Sequence, residues 1–171
     1  MPVAAKIIPL KLDISRFDEY EKKFTGTVEN SFDTVDILVN TAGFLVARDF
    51  SDISREESRQ MMETNFFGPA SVIRVLIPYM KKGSHIVNIT SMGGFQGSAK
   101  YRGLSYYSAS KAALSCLSEC LAAELGESGI VVNCLALGSV QTEMLEEAFP
   151  GYRAPVNARE MAELIADFAI K

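Results

Sequence analysis

Tyr107 and Lys111 stand four residues apart at the head of the apolar stretch "YYSASKAALSCLSECLAAEL". On a helix that spacing puts both side chains on one face. A free tyrosine has a pKa near ~10 and is a feeble base at neutral pH. An ammonium beside it favours the phenolate and lowers that pKa, and a tyrosine tuned in this way can carry protons to and from a substrate. The pattern Tyr-x-x-x-Lys alone also occurs in helices with no chemistry, so other residues must join it. Ser91 closes the run "SHIVNITS", where its hydroxyl could hydrogen-bond a substrate oxygen. Asn65 sits inside a long helical stretch, where asparagine has only modest propensity; a helix kink or a core amide is the alternative reading.

The elements that must hold these residues follow from periodicity. "KIIPLKLDIS" reads as a strand ending at Asp13, and "RFDEYEKKFTGTVENSF" as a surface helix. "VDILVNTAG" reads as a strand running into a turn at Gly43. Residues 54–83 read as a long helix with a capping box at Ser54 and Glu57, a bend at Gly68-Pro69 and a stop at Gly83. "SHIVNITS" is the next strand, followed by the Gly-rich loop "MGGFQGSAKYRG" and a second long helix over "SYYSASKAALSCLSECLAAELGESG". "IVVNCLALG" is a fourth strand. "TEMLEEAF" reads as a short helix, and "NAREMAELIADFAI" as a final amphipathic helix capped by Asn157. Short apolar strands alternating with helices make one α/β domain over 1–171, with a doubly wound parallel sheet. In such sheets the site lies at the carboxyl ends of the strands. Asp13, Asn40 to Gly43, Ser91 and Gly138 all fall there.

Composition narrows the class. The 171 residues are 48% hydrophobic and 22% charged, with a net charge of −4, which suits one packed domain and argues against a nucleic-acid partner. No apolar run approaches the ~20 residues that span a membrane, and "MPVAAKIIPLKLD" is a poor signal peptide. Cys116 and Cys120 share a helix face, and we expect small core residues there rather than a metal or redox pair. With Cys134 the count is odd, which points to a reducing cytoplasm. His85, the single histidine, opens a strand and is expected at the surface.

Six stretches in order, "LDIS", "DILVNTAG", "METNFFGPASVI", "IVNITSMGG", "YYSASKAALSCLSECLAAEL" and "GIVVNCLALGSVQTEM", resemble the short-chain dehydrogenase/reductase family over roughly residues 7 to 144. The resemblance implies an NAD(P)-dependent oxidoreductase that interconverts a carbonyl and an alcohol by hydride transfer on a Rossmann-like fold. It implies that Tyr107 is the acid/base and that Lys111 lowers its pKa and bonds the nicotinamide ribose. Ser91 would polarise the carbonyl, and Asn65 would hold a water linking Lys111 to solvent. Asn40, Ala42 and Gly43 resemble the turn beside the cofactor, and Asp13 and Ile14 the adenine contacts. Gly138, Val140 and Thr142 resemble the segment beside the nicotinamide, with Thr142 on its carboxamide. Tyr106 and Tyr101 compete with Tyr107, but only Tyr107 has a lysine four residues on; Thr90 competes with Ser91. The family's two long helices commonly build homodimers or homotetramers, expected here around 55–81 and 105–126.

The chain departs from the family pattern in four places. Thr41 stands in the Asn-Asn-Ala-Gly turn, and Leu137 replaces the proline before Gly138. The gap from Ser91 to Tyr107 is long, with the extra residues in "FQGSAKYRGLS", which touches the shape of the substrate pocket. The largest departure is that no G-x-x-x-G-x-G turn for the pyrophosphate occurs, so the fold is expected to be incomplete, without the family's first two strands and its last one. That leaves the strand at 37–40 with a bare edge, to be met by a longer parent protein, by a second copy, or by "KLDIS" moving inward to pair with "DILVN". A non-catalytic interaction module is the second functional reading.

Overall fold

The computed structural model describes residues 6–171; the reading of residues 1–5 as no leader lies outside them. Three parallel strands form the central sheet in the order β1 (Ile37–Asn40), β2 (His85–Ser91), β3 (Val131–Leu137). The register pairs Asn40 with Asn88 and Ser91 with Leu137. Around it run α1 (Phe17–Glu29), α2 (Arg55–Met62), α3 (Gly68–Leu76), α4 (Ser105–Leu125), α5 (Glu143–Ala148) and α6 (Ala158–Ile170). A small parallel pair, β4 (Val140–Gln141) and β5 (Val156–Asn157), lies between β3 and α6 in the chain.

Alternation along β2 assigns the two faces. Ile86 packs with Ile73 of α3, Ile130 and Val132, joined by Leu121 and Leu125 of α4. Val87 and Ile89 turn the other way and pack on Ala169 and Ile165 of α6. Phe17, Val28, Val72 and Leu76 close α1 and α3 over Leu38. β2 lies between two strands and two layers, so all its residues except Ser91 are buried. This is the continuous apolar pattern of a covered parallel strand.

Helix ends follow the sequence. Ser54 accepts from Glu57 N at 3.2 Å while Glu57 accepts from Ser54 N at 2.9 Å. Asn157 and Glu160 repeat the same box at α6. The long helix stops earlier than the expected Gly83: α3 ends at Leu76, a 3-10 turn follows over Ile77–Tyr79, and Gly83 takes φ +92° in the turn before β2. The expected bend before Gly68-Pro69 is a five-residue π-helical segment, Glu63–Phe67, that joins α2 to α3. Such widened turns gather at functional sites.

Three expectations are corrected. Residues 6–13 form no strand, and among the described residues β1 pairs only with β2, so "KLDIS" does not move inward. A strand with no neighbour cannot satisfy its backbone, and Pro9 removes a donor from this one. Cys116 and Cys120 are exposed, not core, because α4 turns Ser110, Lys111, Leu114 and Ser118 inward instead. His85 is buried: Nδ1 lies 3.0 Å from the Ala169 carbonyl and Nε2 2.8 Å from Asn133 Oδ1. Its ring thus ties the end of α6 to the sheet. No helix among the described residues is long and apolar enough to cross a membrane.

Candidate functional site

The buried face of α4 is polar. Tyr107 and Lys111 are 9% and 3% exposed, so the predicted pair does lie on one inward face. Ser91 ends β2, and its Oγ accepts from Gly93 N at 3.2 Å, capping the short turn Met92–Gly94. Gly93 and Gly94 let that turn lie against α4. A Cβ on Gly93 would stand 2.9 Å from Ser108 Oγ, and one on Gly94 would stand 2.7 Å from Ala112 N. No larger residue fits at Gly94 without moving backbone.

The electrostatics differ from the expected ammonium–phenol pairing. Burial pushes the Tyr107 phenol above its ordinary pKa, and hydrogen bonding with Ser91 draws it back. Lys111 aims its ammonium at backbone oxygens instead, Ile89 O at 3.0 Å and Ala42 O at 3.5 Å. Burial lowers Lys111 from 10.5 to about 8, opposed by the Cys134 thiol. At neutral pH the phenol therefore holds its proton while the lysine remains mostly charged. Two of the three ammonium N–H groups are spoken for, and one is left over.

Asn65, in the π-helical segment, is fully buried. It brackets the loop after β1, accepting from Phe44 N at 2.7 Å and donating to Phe44 O at 2.8 Å. It also donates to Ser110 Oγ at 2.9 Å. Gly43 stands in this junction: a Cβ there would lie 3.6 Å from Lys111 Nζ, 3.8 Å from Asn65 Oδ1 and 3.9 Å from Met144 Sδ. Ala42, Gly43, Asn65, Lys111 and Met144 are thus one cluster. Asn40 is buried too, donating to Asn88 Oδ1 at 2.8 Å, and Asn88 donates to Ser118 Oγ at 2.9 Å.

Asn88, Ser110 and Ser118 were missed in the sequence. The available signal was a lone amide inside the apolar strand "HIVNITS", and two serines on the same helix face as Lys111. The competing candidates separate cleanly. Thr90 Oγ1 turns into the sheet–helix layer, 3.0 Å from Cys134 Sγ. Tyr106 stacks on Phe50 with centroids 5.4 Å apart, and Tyr101 is exposed.

The remaining predicted residues make local contacts of their own. Asp13 caps a short turn through Ser15 N at 3.0 Å. Ile14 sits against α3, its carbonyl 2.6 Å from where a Gly68 Cβ would be. Gly138 has open space around it, and Val140 pairs with Val156. Thr142 Oγ1 accepts from Leu145 N at 3.2 Å, capping α5. Thr142 and Met144 line an open hollow of about 550 Å³ with Gln141, Glu143, Glu146 and Ala158. Met144 joins that hollow to Gly43. Among the described residues no three His, Cys, Asp or Glu side chains gather as metal ligands.

Comparison with known proteins adds a family. The model described as short chain dehydrogenase matches residues 2–153. Glucose and ribitol dehydrogenase of Daucus carota is 34% identical over 134 residues, covering 78% of this chain and 45% of that protein. A dehydrogenase/reductase of Sinorhizobium meliloti superposes with a TM-score of 0.82 at 28% identity, over 97% of this chain and 68% of that one. A short-chain dehydrogenase of Burkholderia cenocepacia, solved in complex with NADP, gives 0.80 at 25% identity, over 94% and 68%. The chain therefore spans about half to two thirds of the length of these relatives.

Proposed function

This chain belongs to the short-chain dehydrogenase family, and from that premise we propose that it carries the carbonyl–alcohol half of an NAD(P)-dependent oxidoreductase site. The observation that carries the reading is the burial of Tyr107 and Lys111 on one face of α4, beside Ser91 at the end of β2. Tyr107 is the proton donor to a carbonyl oxygen, since burial keeps its phenol protonated at neutral pH. Ser91 donates a second hydrogen bond to the same oxygen, orienting and polarising it.

The residues fit the nicotinamide end of a dinucleotide. The spare Lys111 N–H suits a ribose hydroxyl, and Gly43, lacking a side chain, leaves the approach open beside it. Thr142 accepts at Oγ1 from Leu145 N and keeps its hydroxyl proton for a carboxamide oxygen. Gly138 and Val140 flank that position, and Asn40 and Ala42 shape the turn on the other side. Asn65 fixes that turn to α4, and Asp13 and Ile14 are assigned to the adenine side. When bound, NAD or NADP supplies or accepts the hydride. These contacts address the nicotinamide ribose, so they suit either nucleotide. The Gly-rich turn that grips pyrophosphate in such folds is not among these 171 residues.

Energetics favour this reading over a non-catalytic assembly module. Moving Lys111 from 10.5 to about 8 corresponds to about 3 kcal/mol against the charged form. A scaffold gains nothing from a buried lysine, whereas a site that needs a fixed cation does. A homodimer or homotetramer through the outer faces of α2, α3 and α4 completes the proposal; Phe67, Cys116 and Cys120 are exposed there. Three free cysteines suit a reducing compartment such as the cytoplasm.

The test is turnover of NADPH or NADH with a ketone or aldehyde, comparing the unaltered chain with Tyr107→Phe. The variant should lose on the order of 10² to 10⁴-fold in kcat, with its circular dichroism and Tm unchanged. A variant that still turns over removes Tyr107 from the proton-donor role.

A further inference from the structure

The loop that follows Ser91 is a built wall rather than a slack connection. Lys100 reaches back into it and donates to Gly93 O at 2.8 Å, Phe95 O at 2.6 Å and Ser98 Oγ at 3.0 Å. All three of its N–H groups are used, so this ammonium is not held ready for a phosphate or a carboxylate. Ser98 Oγ donates in turn to Phe95 O at 2.8 Å, and Gly97 supplies the φ of +81° that the return needs.

The clamped turn is fastened at both ends to the candidate site. Gly93 and Gly94 press on Ser108, Lys111 and Ala112 of α4. Downstream, Arg102 pairs with Asp49, and Arg48 N donates to Gly103 O at 3.1 Å. Tyr106 stacks on Phe50. The loops after β1 and β2 are thereby joined to each other.

What this wall displays is apolar. Met92, immediately after Ser91, is 43% exposed, and Phe95 is 55% exposed. A thioether and a phenyl ring held open to solvent on a fastened loop, one and four residues beyond Ser91, suit an apolar substituent on the carbonyl carbon. We propose that Lys100 is a positioning residue that sets Met92 and Phe95 as a substrate wall selecting carbonyl compounds with an aryl or bulky alkyl group. This rests on the carbonyl-site reading of Ser91 and Tyr107.

The experiment uses the full chain with methionine methyl groups labelled with carbon-13. It is titrated with acetophenone and, separately, with acetone. The Met92 methyl resonance should shift saturably with acetophenone and remain in place with acetone. In Lys100→Leu the acetophenone affinity should fall about tenfold, and hydrogen exchange at the Phe95 and Ser98 amides should speed up at least tenfold, while exchange in β2 stays the same. Lys100→Arg, which keeps a cation and several donors, should recover most of both. The proposal is overturned if acetophenone leaves Met92 unmoved at millimolar concentration, if acetone shifts it equally, or if Lys100→Leu changes neither affinity nor exchange. Binding at Met92 without turnover would leave the wall standing and remove the oxidoreductase reading from this chain, so the two failures are distinguishable.

Discussion

The layer between β2 and α4 and the free edge of β1 are built by opposite rules. Under α4, the polar groups of Asn40, Asn88, Ser118, Asn65, Ser110 and Lys111 are buried and partnered. Among the described residues no buried side-chain polar atom lacks a partner. At β1, among the described residues, four residues pair on one side only, Ile37 is 40% exposed, and residues 6–13 form no strand. The difference teaches where the constraint lies. The half that would address substrate and nicotinamide is locked by its own side chains. The edge of β1 is left to backbone that none of the described residues pairs.

The contrast can be broken first at Asn88. Asn88→Ala strands the buried Asn40 amide and opens a hole between sheet and helix, so we expect a loss of about 3 kcal/mol, read by urea denaturation. Lys111→Met goes the other way. Because the lysine's folded pKa of about 8 lies below its ordinary 10.5, the unfolded chain binds more protons between those values. Stability of the unaltered chain therefore rises as pH climbs from about 8 to about 10.5. The variant should be roughly 1–3 kcal/mol more stable at pH 7, with the advantage shrinking across that window, and it should lose the proposed activity. An advantage that grew with pH would contradict the burial of a charged lysine.

Ser54→Ala lies outside both regions and sets the scale for an ordinary helix cap, about 1 kcal/mol. Ile37→Lys on the open edge should change stability by less than about 0.5 kcal/mol while slowing aggregation. A large destabilisation from Ile37→Lys would mean that the edge is covered in solution.

The same contrast marks what could be read from residues alone. The order of most elements, the capping box at Ser54, the cap at Asn157, and the shared face of Tyr107 and Lys111 were legible because periodicity and cap chemistry are local. That "KIIPLKLDIS" forms no strand was not legible, because alternating apolar residues become a strand only beside another. His85 and the Cys116–Cys120 pair were misplaced for a related reason. α6 folds its end back over His85, and α4 buries serines and a lysine where its apolar composition suggests otherwise. The partners of Asn65 were hidden too, since its bracket on Phe44 joins positions 21 residues apart.

The most direct test of the central claim is a titration of the folded 171-residue chain with NADPH and with NADH, followed by nucleotide fluorescence, in parallel with Lys111→Met. The account predicts saturable binding of the unaltered chain and at least a tenfold loss in the variant, because Lys111 is the residue assigned to the nicotinamide ribose. Equal binding by both proteins, or none by a folded unaltered chain, would contradict it.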